Sequence, residues 1–223
     1  MLEVNKLKKT FYHKNGLVKV LDNINLKVKR GELIALTGPS GSGKSSLLHI
    51  LALLDKPTSG KIIFNNTLTN NYSENNKDLI RQKKISIIFQ NNNLLSDFSA
   101  LENVVMPLLI RGEKYTTSLK KALQILDKVK LIDRKNHFPS ELSGGEQQRV
   151  AIARCLIAET DLILADEPTG NLDYKNSEDI FSYFLKLKKM NKAIIFATHN
   201  RELANKADYK LSISKGNIKR VNG

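Results

Sequence analysis

Gly38-Pro39-Ser40-Gly41-Ser42-Gly43-Lys44-Ser45 follows the apolar run Leu33–Thr37 and opens the helical pattern Ser45–Leu54. The octapeptide fits G-x-x-x-x-G-K-[ST] in the strand–loop–helix context that this motif requires. Glycines let successive backbone N–H groups turn inward around phosphate oxygens. The helix N-terminus adds a partial positive charge. Lys44 can then reach the β- and γ-phosphates of a nucleotide, and the Ser45 hydroxyl can ligate Mg²⁺. By average residue usage, the four fixed positions coincide by chance in roughly one chain of this length in a hundred. A plain glycine-rich strand–helix turn is the competing reading.

Three more short apolar runs stand out along the chain: Ile85–Phe89, Leu162–Ala165 and Ala193–Ala197. With polar flanks, they read as buried parallel strands. Helical patterns lie between them at Ser118–Lys130, Glu146–Ala158 and Ser177–Lys189. The alternation predicts an α/β fold with a doubly wound parallel sheet, and the Gly38–Ser45 motif makes the expected class a P-loop NTPase parallel sheet. Residues 1–30 alternate strands and turns, which predicts an antiparallel β edge at the N-terminus. The stretch between Ile85–Phe89 and Leu162–Ala165 is mostly helical and far longer than a βαβ unit of about thirty residues allows. An inserted helical lobe is expected at roughly 91–158, within a single domain spanning 1–223. The Asn-rich stretch Asn65–Asn76 reads as a turn and surface loop.

Leu162-Ile163-Leu164-Ala165 ends in two carboxylates, Asp166 and Glu167. A desolvated carboxylate needs a partner. Beside a phosphate loop that partner is Mg²⁺, held by Asp166 directly or through water. Glu167 would orient and activate the attacking water. The alternative is two solvated carboxylates capping the turn Pro168-Thr169-Gly170.

The composition is that of a globular protein, with 41% hydrophobic and 26% charged residues among 223, which argues against disorder or a disulfide scaffold. The single cysteine, Cys155, forms no intrachain disulfide and fits a reducing compartment. The longest apolar run, Leu47–Leu54, is interrupted by His49 and falls well short of the ~18 residues of a membrane span. Met1–Lys6 lacks a signal-peptide apolar stretch, so a chain working at a membrane would be held there by a partner. The net charge of +14 admits nucleic acid or an anionic membrane surface as a partner. The excess, however, is 28 Lys against 8 Arg, accompanied by 22 Asn and no Trp. Nucleic-acid readers favour Arg forks and stacking aromatics, so compositional bias is the preferred explanation and no nucleic-acid partner is expected.

Leu142-Ser143-Gly144-Gly145-Glu146-Gln147-Gln148-Arg149 resembles the family-defining motif of ABC transporter ATPases. The resemblance implies an ATP- and Mg²⁺-dependent ATPase that forms a head-to-tail dimer with a second copy of itself. Each ATP would lie between the phosphate loop of one copy and Ser143, Gly144 and Gly145 of the other. Further motifs follow in the family's order. Gln90 resembles the Q-loop glutamine, which contacts Mg²⁺ or water and senses the membrane partner. Asn171-Leu172-Asp173 resembles the D-loop, which crosses to the other subunit, and His199 the switch histidine near the γ-phosphate. The family stacks an aromatic on adenine; Phe11 is favoured by alignment, with Tyr12 beside it. His13, His49 and His137 form no ligand cluster.

Leu94–Ile110, Phe138–Leu142 and Asp166–Asp173 are similar to ATPases of lipoprotein-releasing transporters, a branch that partly shares these stretches with macrolide exporters and cell-division complexes. That likeness implies a peripheral subunit on the cytoplasmic face of the inner membrane. It would serve two inner-membrane permease subunits that release lipoproteins toward the outer membrane. A nucleic-acid ATPase of ABC type is the reading from another class, supported by the charge alone.

Overall fold

Strands that are apolar on both faces must be covered on both faces, and this chain covers them with a second sheet and with helices. The computed structural model describes residues 1–13, 16–170 and 172–221. β1 (Leu2–His13) and β2 (Gly16–Val28) pair antiparallel. β3 (Leu33–Thr37) leads through the glycine loop into α1 (Lys44–Leu51). β4 (Ser59–Phe64) and β5 (Thr67–Leu68) return to the hairpin, forming an antiparallel sheet of order β2-β1-β4-β5. α2 (Glu74–Lys84) and β6 (Ile85–Ile88) precede three helices: α3 (Ala100–Ile110), α4 (Tyr115–Lys128) and α5 (Gly144–Ile157). The chain then runs through β7 (Leu162–Asp166), α6 (Tyr174–Lys189), β8 (Ala193–Ala197), α7 (Arg201–Asn205), β9 (Tyr209–Ser214) and β10 (Asn217–Val221).

The second sheet has the order β10-β9-β3-β8-β7-β6. Its strands from β9 to β6 are parallel, and β10 closes one edge antiparallel. Alternation along the strands divides the core. Ile34, Leu36, Leu162, Leu164 and Ile195 meet α1 and the inner face of the antiparallel sheet. Leu33, Ala35, Ile163, Ala165, Ile194 and Phe196 meet α5, α6 and α7 on the other side. There Phe181 packs edge-on to Phe196, with ring centroids 5.5 Å apart. A third core gathers Val104, Val105 and Leu108 of α3, Ala122 and Leu126 of α4, and Val150, Ala153 and Ile157 of α5. α5 therefore belongs to two cores, a double role that its periodicity alone does not reveal. No helix among the described residues is long and apolar enough to cross a membrane.

The structure amends the sequence reading in several places, among them the starts of α4 and α6, which lie three residues before the expected Ser118 and Ser177. Asn65–Asn76 is not all loop: it contains β5 and the start of α2, whose N-cap Ser73 accepts a bond from the Asn76 N–H. α2 lacks an apolar stripe; Lys77 is its one buried residue, so hydrophobic periodicity had nothing to report. β9 and β10, absent from the strand list, complete the sheet beyond β3. Finally, α5 starts two residues before the expected Glu146, because Ser143 and Glu146 form a reciprocal capping box that brings Gly144 and Gly145 into the first turn.

The loop from Asn91 to Ser99 is pinned as well. The fully buried Asn103 accepts from the Leu95 N–H at 2.8 Å and donates to the carbonyls of Leu95, Phe98 and Ser99. Asn103→Ala strands these backbone groups away from water, and a buried unsatisfied polar group costs about 1–3 kcal/mol. Urea unfolding should show a loss of at least that size. A change below about 0.5 kcal/mol, the scatter of neutral surface substitutions, would mean that the loop finds other partners.

Candidate nucleotide site

Ligand sites of open parallel sheets lie beyond the carboxyl ends of the strands, and the register brings three such ends together here. Leu36 and Asp166 both pair with Ala197, so β3, β8 and β7 finish level. The ladder continues past the strand ends: Thr198 N–H donates to Leu36 O, and Glu167 N–H to Ala197 O. A cavity of about 260 Å³ opens at this edge, lined by Ser40, Gly41, Gly43, Lys44, Ser45, Gln90, Asp166, Glu167 and His199, with Val20 and Ser46. A larger neighbouring hollow of about 520 Å³ shares His199 but contains neither Lys44 nor the carboxylates, so the chemistry belongs to the smaller one.

The glycine loop is shaped by contacts as well as by flexibility. Gly43 has φ 101°, and a Cβ there would stand 2.9 Å from Val20 Cγ1. The antiparallel sheet is thereby pressed onto the loop. Val20 was missed in the sequence, where nothing marks one valine of β2 as a wall of the site. Lys44 is only 7% exposed, and its Nζ donates to the carbonyls of Gly38 and Pro39, each at 3.0 Å. Among the described residues no carboxylate forms a salt bridge with it. Ser42 Oγ is buried without a partner. A buried cation and free hydroxyl of this kind fit an anion.

Asp166 is buried at the end of β7. Glu167 follows in a left-handed conformation, φ 47°, a strained geometry for a non-glycine residue that is commonest at functional sites. Its backbone carbonyl, rather than its carboxylate, accepts from Gly170 N–H, so the side chain does not cap the turn. Burial pushes the Glu167 carboxyl above the ordinary carboxylate value; His199 and Lys44 draw it back, and Asp166 adds to the rise. His199 Nε2 lies 3.3 Å from Glu167 Oε1 without hydrogen-bond alignment, and the His199 N–H donates to Oε2 at 3.4 Å. Among the described residues no three His, Cys, Asp or Glu side chains gather into a metal cage. Asp166 and the Ser45 hydroxyl match a hard cation that completes its shell with phosphate oxygens and water.

The other expected site residues lie outside this cavity. Ser143, Gly144 and Gly145 stand at the N-terminus of α5. Asp173 is the N-cap of α6, where the bond from Asn176 N–H holds its carboxyl below the usual range. Leu172 packs against the core beneath α6, and Asn171 lies outside the described residues. Phe11 is 43% exposed beneath the Lys9 ammonium, and Tyr12 is 86% exposed, so neither aromatic is core.

The ABC transporter family model matches residues 21–170. The chain belongs to the ABC transporter family. Its curated relatives in this family include the lipoprotein-releasing system ATP-binding protein LolD of Rickettsia bellii (strain RML369-C), 50% identical over 214 residues and 95% of each chain. LolD of Legionella pneumophila (strain Lens) is 42% identical, covering 98% of this chain and 96% of that one. Among solved structures, the ATP-binding cassette MJ0796, a dimer in a post-hydrolysis state bound to ADP and Pi, superposes with a TM-score of 0.96. It is 36% identical over 100% of this chain and 98% of its own.

The burial of Glu167 in this cassette has a measurable consequence. Its folded pKa stands above the ordinary 4.5, so the stability linked to it is full below that value and lost as pH rises through the folded one. Glu167→Gln does not titrate. Without nucleotide, its stability relative to the parent chain should improve as pH rises from about 4 through the folded pKa in chemical denaturation. A relative loss over that range would show that the carboxylate is better solvated than its burial implies.

Proposed function

We propose that this chain is the Mg²⁺-dependent ATP-hydrolysing subunit of a transporter that releases lipoproteins from the inner membrane toward the outer membrane. The single observation that carries the ATPase reading is the convergence of Lys44, Asp166, Glu167 and His199 on one cavity. The identity of about one half to the Rickettsia LolD chains supports the lipoprotein reading.

In this reading, the backbone N–H groups of residues 40–45 and the Lys44 ammonium bind the β- and γ-phosphates. Ser45, Asp166 and Gln90 would hold Mg²⁺, which when bound neutralises charge on the phosphate oxygens. Glu167 accepts a proton from the attacking water, helped by its elevated pKa. His199 orients Glu167 and faces the γ-phosphate. Phe11 is the adenine-stacking residue in preference to Tyr12. Ser143, Gly144 and Gly145 close over the nucleotide of a second copy, and Asp173 lies at that same junction. The resemblance between this chain and a cassette solved as a dimer supports the head-to-tail arrangement. The chain works as one domain, with a helical lobe over roughly 91–158, on the cytoplasmic face of the membrane.

Lys44→Ala removes the ammonium and leaves the loop, so nucleotide titration should show binding abolished. Glu167→Gln should retain binding while hydrolysis falls by about 10²–10⁴-fold. With Mg·ATP it should sediment as a dimer that dissociates in ADP. Normal turnover by Glu167→Gln would exclude it as the base.

Two permease subunits would dock where α3, β6 and α5 frame an apolar hollow of about 370 Å³ lined by Phe89, Asn93, Pro107 and Ile110. β6 is the free edge of its sheet, and Gln90 begins the loop beside it. Ile110, on the rim of the hollow, is 62% exposed, and Phe98, on the loop that leads from Gln90 to α3, is 37% exposed; both offer apolar anchors to a short amphipathic helix. Phe98→Glu and Ile110→Glu should leave the isolated ATPase folded and hydrolysing, while assembly with the membrane pair and lipoprotein release fail. Variants that still assemble would place docking elsewhere.

A further inference from the structure

Gln90 and Ser143 stand on different elements, and one side chain ties the segment after Gln90 to the helix that Ser143 caps. Asn92 and Asn93 adopt consecutive left-handed conformations, φ 60° and 45°, a backbone that asparagine tolerates better than other non-glycine residues. Both of their carbonyl oxygens accept from Arg154: Nη2 donates to Asn92 O at 3.0 Å and Nη1 to Asn93 O at 2.9 Å. Arg154 has no carboxylate partner among the described residues, and burial lowers its pKa. An unpaired cation in such a place is a poor device for stability alone. Its planar fork, however, matches two adjacent acceptors as a lysine ammonium cannot. Arg154 lies ten residues along α5 from Gly144, about 15 Å down the helix axis. Ile152 and Cys155 pack on the parallel sheet, and Val150, Ala153 and Ile157 on the helical core, so α5 is held as one rod.

We infer that Arg154 is a positioning residue that clamps the loop carrying Gln90 to the helix whose N-terminus carries Ser143, Gly144 and Gly145. The clamp makes the glutamine serving a chain's own nucleotide and the helix end meeting its partner's nucleotide parts of a single element. This rests on the preceding reading that those groups face two nucleotides of a dimer. Arg154 touches neither nucleotide. Its loss should therefore spare binding at the phosphate loop and weaken closure of the dimer.

The test uses the full chain in a Glu167→Gln background, with Arg154→Met to keep the packed stem and Arg154→Lys to keep the charge. Sedimentation in Mg·ATP should show the dimer weakened about tenfold or more by Arg154→Met and partly restored by Arg154→Lys, with nucleotide affinity within about twofold of the parent. Adding Gln90→Ala should cause little further loss, because both substitutions break the same link. Unchanged dimerisation, or effects of Arg154→Met and Gln90→Ala that simply add, would overturn the inference. If the Glu167→Gln parent itself does not dimerise, the functional reading fails. In that case, or if the Arg154 variants do not fold, amide hydrogen exchange on the unmutated chain decides. Mg·ATP, added at protein concentrations below dimerisation, should slow exchange in residues 143–150 together with 90–93. A response confined to 90–93, or none in either segment, would overturn the clamp.

Discussion

The ammonium of Lys44, withdrawn from water and held by the carbonyls of Gly38 and Pro39, is the constraint on which the rest of the structure depends. It forms no salt bridge with a carboxylate among the described residues, and its hydrogen bonds go to carbonyl dipoles. The loop must therefore bend back over the start of α1, and positive φ at Gly38, Gly41 and Gly43 permits that bend. The same charge reaches Glu167 and pulls its pKa back against the effect of burial. The cation thus acts on the carboxylate across a cavity suited to a phosphate.

Two sheets are needed to build that cavity. The parallel sheet supplies level strand ends, which place Leu36, Asp166 and Ala197 along one edge. The antiparallel sheet supplies the cover: α1 is buried between the sheets through Leu47, Leu48, Ile50 and Leu51, and Val20 leans onto Gly43. Any larger residue at position 43 would have to displace β2 as well as adopt a left-handed backbone.

The helical layer has a different physical character. Its connections to the loop after Gln90 are polar and specific, made by Asn103 from α3 and Arg154 from α5. The run of asparagines at 91–93 looks like a hinge because its composition is that of a turn. In the fold, the ability of asparagine to adopt left-handed backbone serves a rigid attachment instead. Some of the many lysines form surface pairs, such as Lys8–Asp22 and Lys206–Glu178, which contribute little individually.

Read by itself, the sequence determined the strand–loop–helix around Lys44, the buried runs that became β3 and β8, and the carboxylates ending β7. It also pointed to Ser143, Gly144 and Gly145, which cap and open α5. Each is local: a motif of eight residues or a run of five carries its own backbone geometry and apolar pattern. The sequence did not disclose α2, whose polar surface lacks a stripe, or β9 and β10 beyond the four strongest runs. Nor did it single out Val20, Asn103 or Arg154. Only the tertiary structure decided that Arg154 meets carbonyls 61 and 62 positions away, that α5 serves two cores, and that Glu167 faces His199 and Lys44. Backbone carbonyls bear no side-chain signature, and an ordinary valine or arginine acquires its role when folding sets another segment against it.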